Sequence, residues 1–436
     1  MPATLENREF HDIACTLCGC VCDDLRVSVC GQSVTAIEPP CPLADPWFQS
    51  LGKCQPPVAS IEGHATTLEA ATATAAKILS TARAPLIYGL SRSSTPGQRA
   101  AVRLADRLQA YIDTTASQCH APSIMAIQEV GESTCSLGEV KNRSDLVIFW
   151  KADPLTSHPR HLQRYSGEAA GMFISGREDR TIVVIDERET STARSADLFL
   201  PINGELDFEA IWTLRCLVQG QPIASENSVG IPLDPLRDLA NRMTTCRYGV
   251  VFFGLGLARA RTGHRNVEAL LRLVTDVNAH ARFSAKRMRI PGDVTGADSV
   301  LCWQTGFPFS VNLSRGYPRF NPGEYSANDL LERGEVDACL LVGAEGVADF
   351  SPKAQAQLQT IPVVALDYPT QSPLPTTAVQ FTTAIYGVHR PGTAYRMDEV
   401  PIPLRAFLPS DYPADHEVLA LINAAVESQA TGIAAN

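Results

Sequence analysis

The chain has 436 residues, 45% hydrophobic and 19% charged, with a formal net charge of −10. These values describe a globular protein of about two or three domains with an ample core. They exclude a nucleic-acid binder, since no basic tract is present, and no apolar run approaches the ~18 residues that span a bilayer.

The polar start, Met1 to Phe10, shows neither the apolar stretch of a signal peptide nor a twin arginine, so a cytoplasmic protein is expected. In that compartment 13 cysteines are not a disulfide framework. Cys15-x-x-Cys18-x-x-x-Cys22 opens the chain, with Cys20, Cys30, Cys41 and Cys54 nearby. Leu25 to Val29 and Ser33 to Ile37 alternate as a small hairpin around Cys30-Gly31-Gln32. Two close thiols on a tight loop, a third a turn later and a distant fourth suit a cubane iron–sulfur cluster. Cys41 is the preferred fourth ligand and Cys54 the second choice. The same spacing also suits tetrahedral zinc, or thiols without metal.

Gln55 to Glu62 reads as a Pro-containing linker, and Leu68 to Ala84 as an Ala-rich helix. Pro85 to Gly89 is a strand, followed by a Ser/Gly loop and a helix from Thr95 to Gln109. Ala110 to Thr115 is a short strand leading to Cys119-His120, with a helix from Pro122. Asp145 to Trp150, Thr181 to Asp186 and Ala196 to Leu200 are further strands. The helical stretch Leu206 to Gln219 follows. A similar order then returns: a strand at Tyr248 to Gly254, a helix around Asn266 to Asn278, and strands at Arg282 to Ala285, Asp337 to Gly343, Ile361 to Asp367 and Ala378 to Thr382. The expected class is α/β: two Rossmann-like parallel-sheet domains in pseudo-repeat plus a small N-terminal Cys-rich domain. The expected boundaries are 1–60 for the Cys-rich domain, 61–205 for the first sheet domain, 206–245 for a helical connector and 246–436 for the second sheet domain.

Ligands of open parallel sheets bind at loops beyond the strands' carboxyl ends. Two such domains would face one another across a crevice, with Cys119-His120 on a loop of one and Arg289 on the equivalent loop of the other. A thiol beside an imidazole can ligate a soft metal or act as a nucleophile, and a permanently charged guanidinium opposite suits an anionic substrate. The plainer reading is a buried structural Cys, a surface His and a surface Arg.

Ordered along the chain are Cys15-x-x-Cys18-Gly19-x-x-Cys22-Asp23-Asp24, Ser117-x-Cys119-His120-x-Pro122-Ser123 and Leu137-Gly138-Glu139-Val140-Lys141-Asn142-Arg143. His158-Pro159-Arg160-His161, Gly176-Arg177-x-Asp179-Arg180-Thr181, Arg319-Phe320-Asn321-Pro322-Gly323-Glu324 and Gly392-Thr393-Ala394-Tyr395-Arg396-Met397 follow. On these motifs the chain resembles, over nearly its whole length, the B subunit of formylmethanofuran dehydrogenase, a branch of the molybdopterin oxidoreductases. The resemblance implies a 4Fe–4S cluster on Cys15, Cys18, Cys22 and Cys41, and molybdenum or tungsten held by two molybdopterin guanine dinucleotides. It implies Cys119 as the metal's protein ligand, with His120 and Arg289 assisting proton transfer and substrate binding. It places Asp153, Pro154, Asp186, Thr190, Glu345 and Gly392 against the dinucleotides. The implied reaction is reversible reduction of CO2 to formate, passed to a zinc amidohydrolase-type partner, with a formyltransferase-type or related subunit in the same complex.

Three loops depart from the family pattern. Lys151-Ala152-Asp153-Pro154 stands for Gly-Cys-Asn-Pro, Asp186-Glu187-Arg188-Glu189-Thr190 for Asp-Pro-Arg-x-Thr, and Glu345-Gly346 for Asp-Pro. A lysine in place of glycine puts a long side chain where backbone approaches a phosphate, and Glu187 and Glu189 add charge repelling an anion. The departures imply a second reading, either cofactor being lost: the structural B subunit of the bacterial formyltransferase/hydrolase complex of tetrahydromethanopterin-linked one-carbon oxidation. The Ala-rich end, Ala424 to Asn436, does not separate the two.

Overall fold

In a computed structural model of the chain, residues 7–433 are described except 225, 261, 291 and 370–376. The first six residues of the polar start and the last three of the Ala-rich end therefore lie outside the described residues. The chain divides into two compact units.

The first unit takes residues up to 118, 291–396 and from 401 onward. It opens with a three-stranded antiparallel sheet, Asn7–Ile13, Leu25–Cys30 and Ser33–Glu38. The expected hairpin is there, with Cys30 opposite Ser33. The added strand Asn7–Ile13 escaped the sequence reading because nearly all its side chains are exposed, so no apolar alternation marks it. Helix Ala44–Ser50 buries Phe48 in this lobe's core with Ile13, Leu25 and Val27, joined by Ile385, Val388 and Phe407 from far along the chain.

The body of the unit is a nine-stranded sheet. Its centre is five parallel strands in the spatial order Tyr111–Thr114, Pro85–Gly89, Ala338–Val342, Val363–Asp367, Val379–Thr382. Pro85–Gly89 and Ala338–Val342 are buried at every residue, which is why they read as unbroken apolar runs. Strand Ala59–Ile61 adds antiparallel to one edge, so the stretch read as a linker is partly sheet. Helices Leu68–Thr81, Thr95–Leu108, Val294–Thr305 and Asp415–Ile433 bury one face through Leu79, Leu104, Val300 and Leu419. Ala327–Arg333 and Pro352–Leu358 cover the other through Leu331 and Leu358.

The second unit is residues 119–290 with 397–400. Its five strands are all parallel, ordered Leu198–Pro201, Thr181–Asp186, Leu146–Trp150, Tyr248–Phe253, Arg282–Arg287. Helices Asp207–Val218, Leu233–Thr245 and Gly263–Val277 pack on this sheet through Leu214, Leu239 and Leu270.

The α/β class, the two parallel-sheet units and the Cys-rich lobe are as the sequence indicates, but the boundaries differ. The sheets are not assembled from consecutive halves. Strands 85–89 and 111–114 pair with strands beyond residue 310, and strands 146–201 pair with those at 248–287. Fully buried parallel strands carry no side-chain pattern that says which sheet they join, so the breaks after Gln118 and Ile290 were invisible, and a boundary was expected at 205–246 where there is none. The stretch 206–245 is a covering layer of the second unit rather than a connector.

Among the parallel strands of each unit the order reverses once. In the first the reversal lies between Pro85–Gly89 and Ala338–Val342, and in the second between Leu146–Trp150 and Tyr248–Phe253. Such switch points open a crevice beyond the strand ends, where doubly wound sheets hold ligands. Among the described residues no helix is long and apolar enough to cross a membrane.

Candidate active site

Strand Tyr111–Thr114 belongs to the first unit, which runs on as far as Gln118, one residue before Cys119. A short helical turn, Ala116–Cys119, follows, rather than the open loop expected, and helix Ala121–Val130 starts directly after His120. Pro122 in that helix's first turn lacks an N–H where none is needed. The His120 carbonyl accepts from the Ser123 N–H at 3.0 Å, the Ile124 N–H at 3.0 Å and the Ser123 hydroxyl at 2.8 Å. The main chain at His120 is thus fixed.

Cys119 is 6% exposed and His120 only 1%. Both ring nitrogens of His120 are buried without a hydrogen-bond partner among the described residues. An unmet buried polar atom costs about 1–3 kcal/mol, so a ring with both nitrogens unmet points to a ligand-facing position. Burial pushes the imidazole well below its ordinary pKa, and the charges of Arg289, Arg287 and Arg259, with His158, push it the same way. His120 is therefore a neutral imidazole in a field of guanidinium groups.

Arg289 is buried, two residues past strand Arg282–Arg287. Its carbonyl accepts from Nε2 of His158 at 2.7 Å. The Arg287 guanidinium lies 3.4 Å from Glu132 and 3.2 Å from Glu399. The Lys286 ammonium, 1% exposed, reaches Glu399 at 3.3 Å and donates to the Thr134 hydroxyl at 3.1 Å. Asp398 accepts from the Leu137 N–H at 2.6 Å. These bonds fasten 397–400 to the second unit and neutralise two of its cations. Cys119, His120 and Arg289 all belong to this one unit. They are not divided between two domains as the sequence suggested.

The four thiols expected to share a cluster are all in the first unit, and all are buried. The Cys15 N–H donates to the Cys22 carbonyl at 2.8 Å and the Val21 N–H to the Cys18 carbonyl at 3.1 Å, closing a tight loop. Burial holds the Cys15 thiol well above its usual pKa, and the neighbouring Cys18, Cys22 and Cys41 add to this. The Cys41 N–H donates to Asp45 at 3.2 Å at the start of the lobe's helix. Cys54 is only half-buried and lines a cavity of about 480 Å³ with Trp47, Tyr368 and Tyr412. Among the described residues no group of three or more His, Cys, Asp or Glu is arranged to hold a single metal ion.

Of the residues expected against dinucleotides, Asp153, Pro154, Asp186, Thr190 and Glu345 lie on segments that follow strands at or beside the switch points, whereas Gly392 lies on a separate two-stranded ribbon. In the second unit Asp153 and Pro154 start a short helix just beyond Leu146–Trp150. Asp153 accepts from the Thr192 N–H at 2.9 Å and the Thr156 hydroxyl at 2.7 Å. Asp186 ends its strand, and the Thr190 hydroxyl accepts from the Ala193 N–H at 3.1 Å. Lys151 has φ 48°, the left-handed backbone that glycine adopts without cost. Its side chain turns away to donate to the Ile202 carbonyl at 2.8 Å, so the long chain expected to intrude on a phosphate is folded back. In the first unit Glu345 follows Ala338–Val342; its carboxylate accepts from the Ser91 hydroxyl and lies 3.7 Å from the Arg92 guanidinium. Burial raises the Glu345 carboxyl, against the pull of Arg92. Gly392 opens the half-buried strand Gly392–Tyr395, also in the first unit.

Three residues around His120 were not singled out in the sequence as members of the site: Arg259, Arg287 and His158. Arg259 caps a short helix after Tyr248–Phe253 and carries no motif. Arg287 stands in the run leading to Arg289, and His158 in a motif to which the sequence attached no role.

A double-sheet α/β protein with a Cys-rich lobe, and a buried thiol–imidazole pair set among guanidiniums, is the class these observations define. No protein-family model matches the chain. It is 38% identical over 423 residues to the B subunit of tungsten-containing formylmethanofuran dehydrogenase 2 from Methanocaldococcus jannaschii, covering 94% of this chain and 97% of that one. To the protein of the same name from Methanococcus maripaludis it is 35% identical over 424 residues, covering 95% and 98%. The chain belongs to the family of formylmethanofuran dehydrogenase B subunits. The B subunit of the formyltransferase/hydrolase complex Fhc from Methylorubrum extorquens is 25% identical over 289 residues, 64% of this chain and 73% of that one. Among solved structures, the formyltransferase/hydrolase complex from Methylorubrum extorquens with methylofuran matches at TM-score 0.71 and 22% identity, over 86% of this chain and 99% of that one. Acetylene hydratase from Pelobacter acetylenicus matches at TM-score 0.68 and 12% identity, over 96% and 70%; these two likenesses speak to the fold. The curated relatives are named as subunits of larger enzymes or complexes.

Proposed function

We propose that this chain is the redox subunit of a formylmethanofuran dehydrogenase-type complex, interconverting CO2 and formate in one-carbon metabolism. The observation that carries this reading is the His120 ring, buried and unpartnered among the described residues, one residue after the buried Cys119 and in the field of Arg289, Arg287 and Arg259. The donor set fits the implied group: Cys119 would bind tungsten or molybdenum, a soft-ligand role for a thiolate. The tungsten in the names of the archaeal relatives favours that metal. The loops at Asp153, Pro154, Asp186, Thr190, Glu345 and Gly392 would take the two molybdopterin guanine dinucleotides, and the left-handed backbone kept at Lys151 supports this. Cys15, Cys18, Cys22 and Cys41 would hold the 4Fe–4S cluster. A cubane takes one thiolate per iron, so four thiols feeling one another without forming a single-ion site are compatible with it.

The metal–pterin group, when bound, supplies the two-electron chemistry. The chain's own residues do the rest. The Arg289 guanidinium holds the carboxylate of formate by charge-assisted hydrogen bonds. His120, neutral at physiological pH, takes a proton at a ring nitrogen during formate oxidation and returns it during CO2 reduction. The closed surroundings of both residues exclude water. Formate made here would pass to a zinc amidohydrolase-type partner that forms the formyl amide, with a formyltransferase-type or related subunit in the same cytoplasmic complex.

The altered loops favour a second reading, a structural role for this chain as the B subunit of a formyltransferase/hydrolase complex. Glu187 and Glu189 remain as negative charges on the Asp186 loop, and Glu345 is buried beside Ser91. Formate oxidation by the complex purified without air separates the two. Activity that vanishes in Cys119→Ala while the complex still assembles supports the redox role. Full formyl transfer without tungsten, molybdenum or guanine nucleotide supports the structural one.

A further inference from the structure

The motif His158-Pro159-Arg160-His161 has no part in the chemistry above, yet His158 is fully buried in the same unit as Arg289. It follows helix Pro154–Ser157, just beyond strand Leu146–Trp150. From there it reaches past the neighbouring strand Tyr248–Phe253 to the segment after Arg282–Arg287. We infer that His158 is a positioning residue for Arg289: by holding the Arg289 main-chain carbonyl, it fixes where that guanidinium stands. The part of this inference that concerns substrate rests on the function proposed above.

The hydrogen bonds assign the tautomer. The Arg289 carbonyl only accepts, so Nε2 of His158, 2.7 Å away, carries the proton. In the neutral ring Nδ1 is then bare and accepts from the Ser157 hydroxyl at 2.8 Å. That hydroxyl also lies 3.0 Å from the Asp153 carbonyl, which competes for its one proton. Burial lowers His158 to about 4, so the neutral ring prevails at physiological pH. Asp153 is itself fixed by Thr192 and Thr156. The run Thr192–Asp153–Ser157–His158–Arg289 therefore joins the first loop of the switch point to the residue proposed to hold the carboxylate. A residue serving only as core would need no polar atom at Nε2. Arg289 sits in a segment without regular secondary structure, where a side-chain tie sets the main-chain position.

The test uses the whole complex with His158→Leu, which removes the donor at similar bulk, and His158→Gln, whose amide N–H can replace it. Formate affinity is read by calorimetry without turnover, alongside KM and kcat, metal content and iron content. His158→Leu is expected to raise the formate Kd and KM about tenfold or more, with kcat changed less than about threefold and metals unchanged. His158→Gln is expected to restore most of the affinity, which a purely structural role would not produce. Should His158→Leu not assemble, Ser157→Ala, which frees the tautomer, is expected to raise Kd about threefold. An unchanged formate Kd in the variant that assembles overturns the inference. If the wild-type complex binds no formate, it is the redox reading that fails. The role of His158 is then decided by a structure of the assembling variant: a displaced Arg289 supports it, and an unmoved carbonyl and guanidinium overturn it.

Discussion

The chain places thiols in two opposite electrostatic settings. In the Cys-rich lobe burial first, and then the neighbouring Cys18, Cys22 and Cys41, make a negative charge on Cys15 harder to form. Beyond the second unit's sheet, Cys119 precedes an imidazole that feels three arginines. A buried thiol that resists ionisation among other thiols suits the cationic cluster proposed for this lobe, whose binding would outweigh the repulsion. An imidazole in the field of three guanidiniums suits the anionic ligand proposed for that site. The two sites thus ask for different partners although both begin from buried cysteine.

The largest expected effect is at the second site. Cys119→Ala should lower formate oxidation by more than about a thousandfold, from loss of its metal, in a complex that still assembles. His120→Ala and Arg289→Ala should each cost about a hundredfold or more in kcat/KM while metal content holds. Loss of metal in all three would erase the distinction between ligand and assistants. In the lobe, Cys15→Ser, Cys18→Ser, Cys22→Ser or Cys41→Ser should each lower iron and acid-labile sulfide in anaerobically purified protein, and Cys54→Ser should not. Stoichiometric zinc in the wild type, with neither iron nor sulfide, would contradict the cluster.

The contrast was only partly legible in the sequence. The lobe's cysteines are close in the chain, so local spacing exposed them. The Cys119–His120 pair was visible because its two residues are adjacent. Arg289 was visible too, but its sheet was misassigned, because the parallel strands Leu146–Trp150 and Tyr248–Phe253 are long-range partners with no pattern specifying the pairing. That pairing sets side by side the strands that His158 and Arg259 follow, and both act on His120. Lys151 was legible only as a residue type: its φ and side-chain direction are not written in the sequence, and its amine turns to Ile202.

The histidines of the second unit give a smaller effect. Burial depresses His158 to about 4 and His161 to about 3, below the 6.5 of an exposed imidazole. The unfolded chain therefore binds more protons in this range, so stability is full above pH 6.5 and is lost as pH falls toward those values. Each ring should contribute about 2 kcal/mol of loss between pH 6.5 and 5. Denaturant titrations at the two pH values measure this, and His161→Phe should reduce the difference. An unchanged pH dependence in that variant would contradict a buried neutral His161.

The smallest effect is expected at Lys151. Lys151→Gly relieves a left-handed backbone but gives up the bond to the Ile202 carbonyl, so stability should change by less than about 1 kcal/mol. Guanine nucleotide content should be retained, because the loop already has the backbone of a glycine. Increased nucleotide retention in the variant would show that the lysine side chain does obstruct the loop.

The central claim is tested most directly by assaying tungsten, molybdenum and guanine nucleotide in the wild-type complex purified without air. The account predicts about one tungsten or molybdenum and two guanine dinucleotides per chain. A complex fully active in formyl transfer that contains none of them would contradict it.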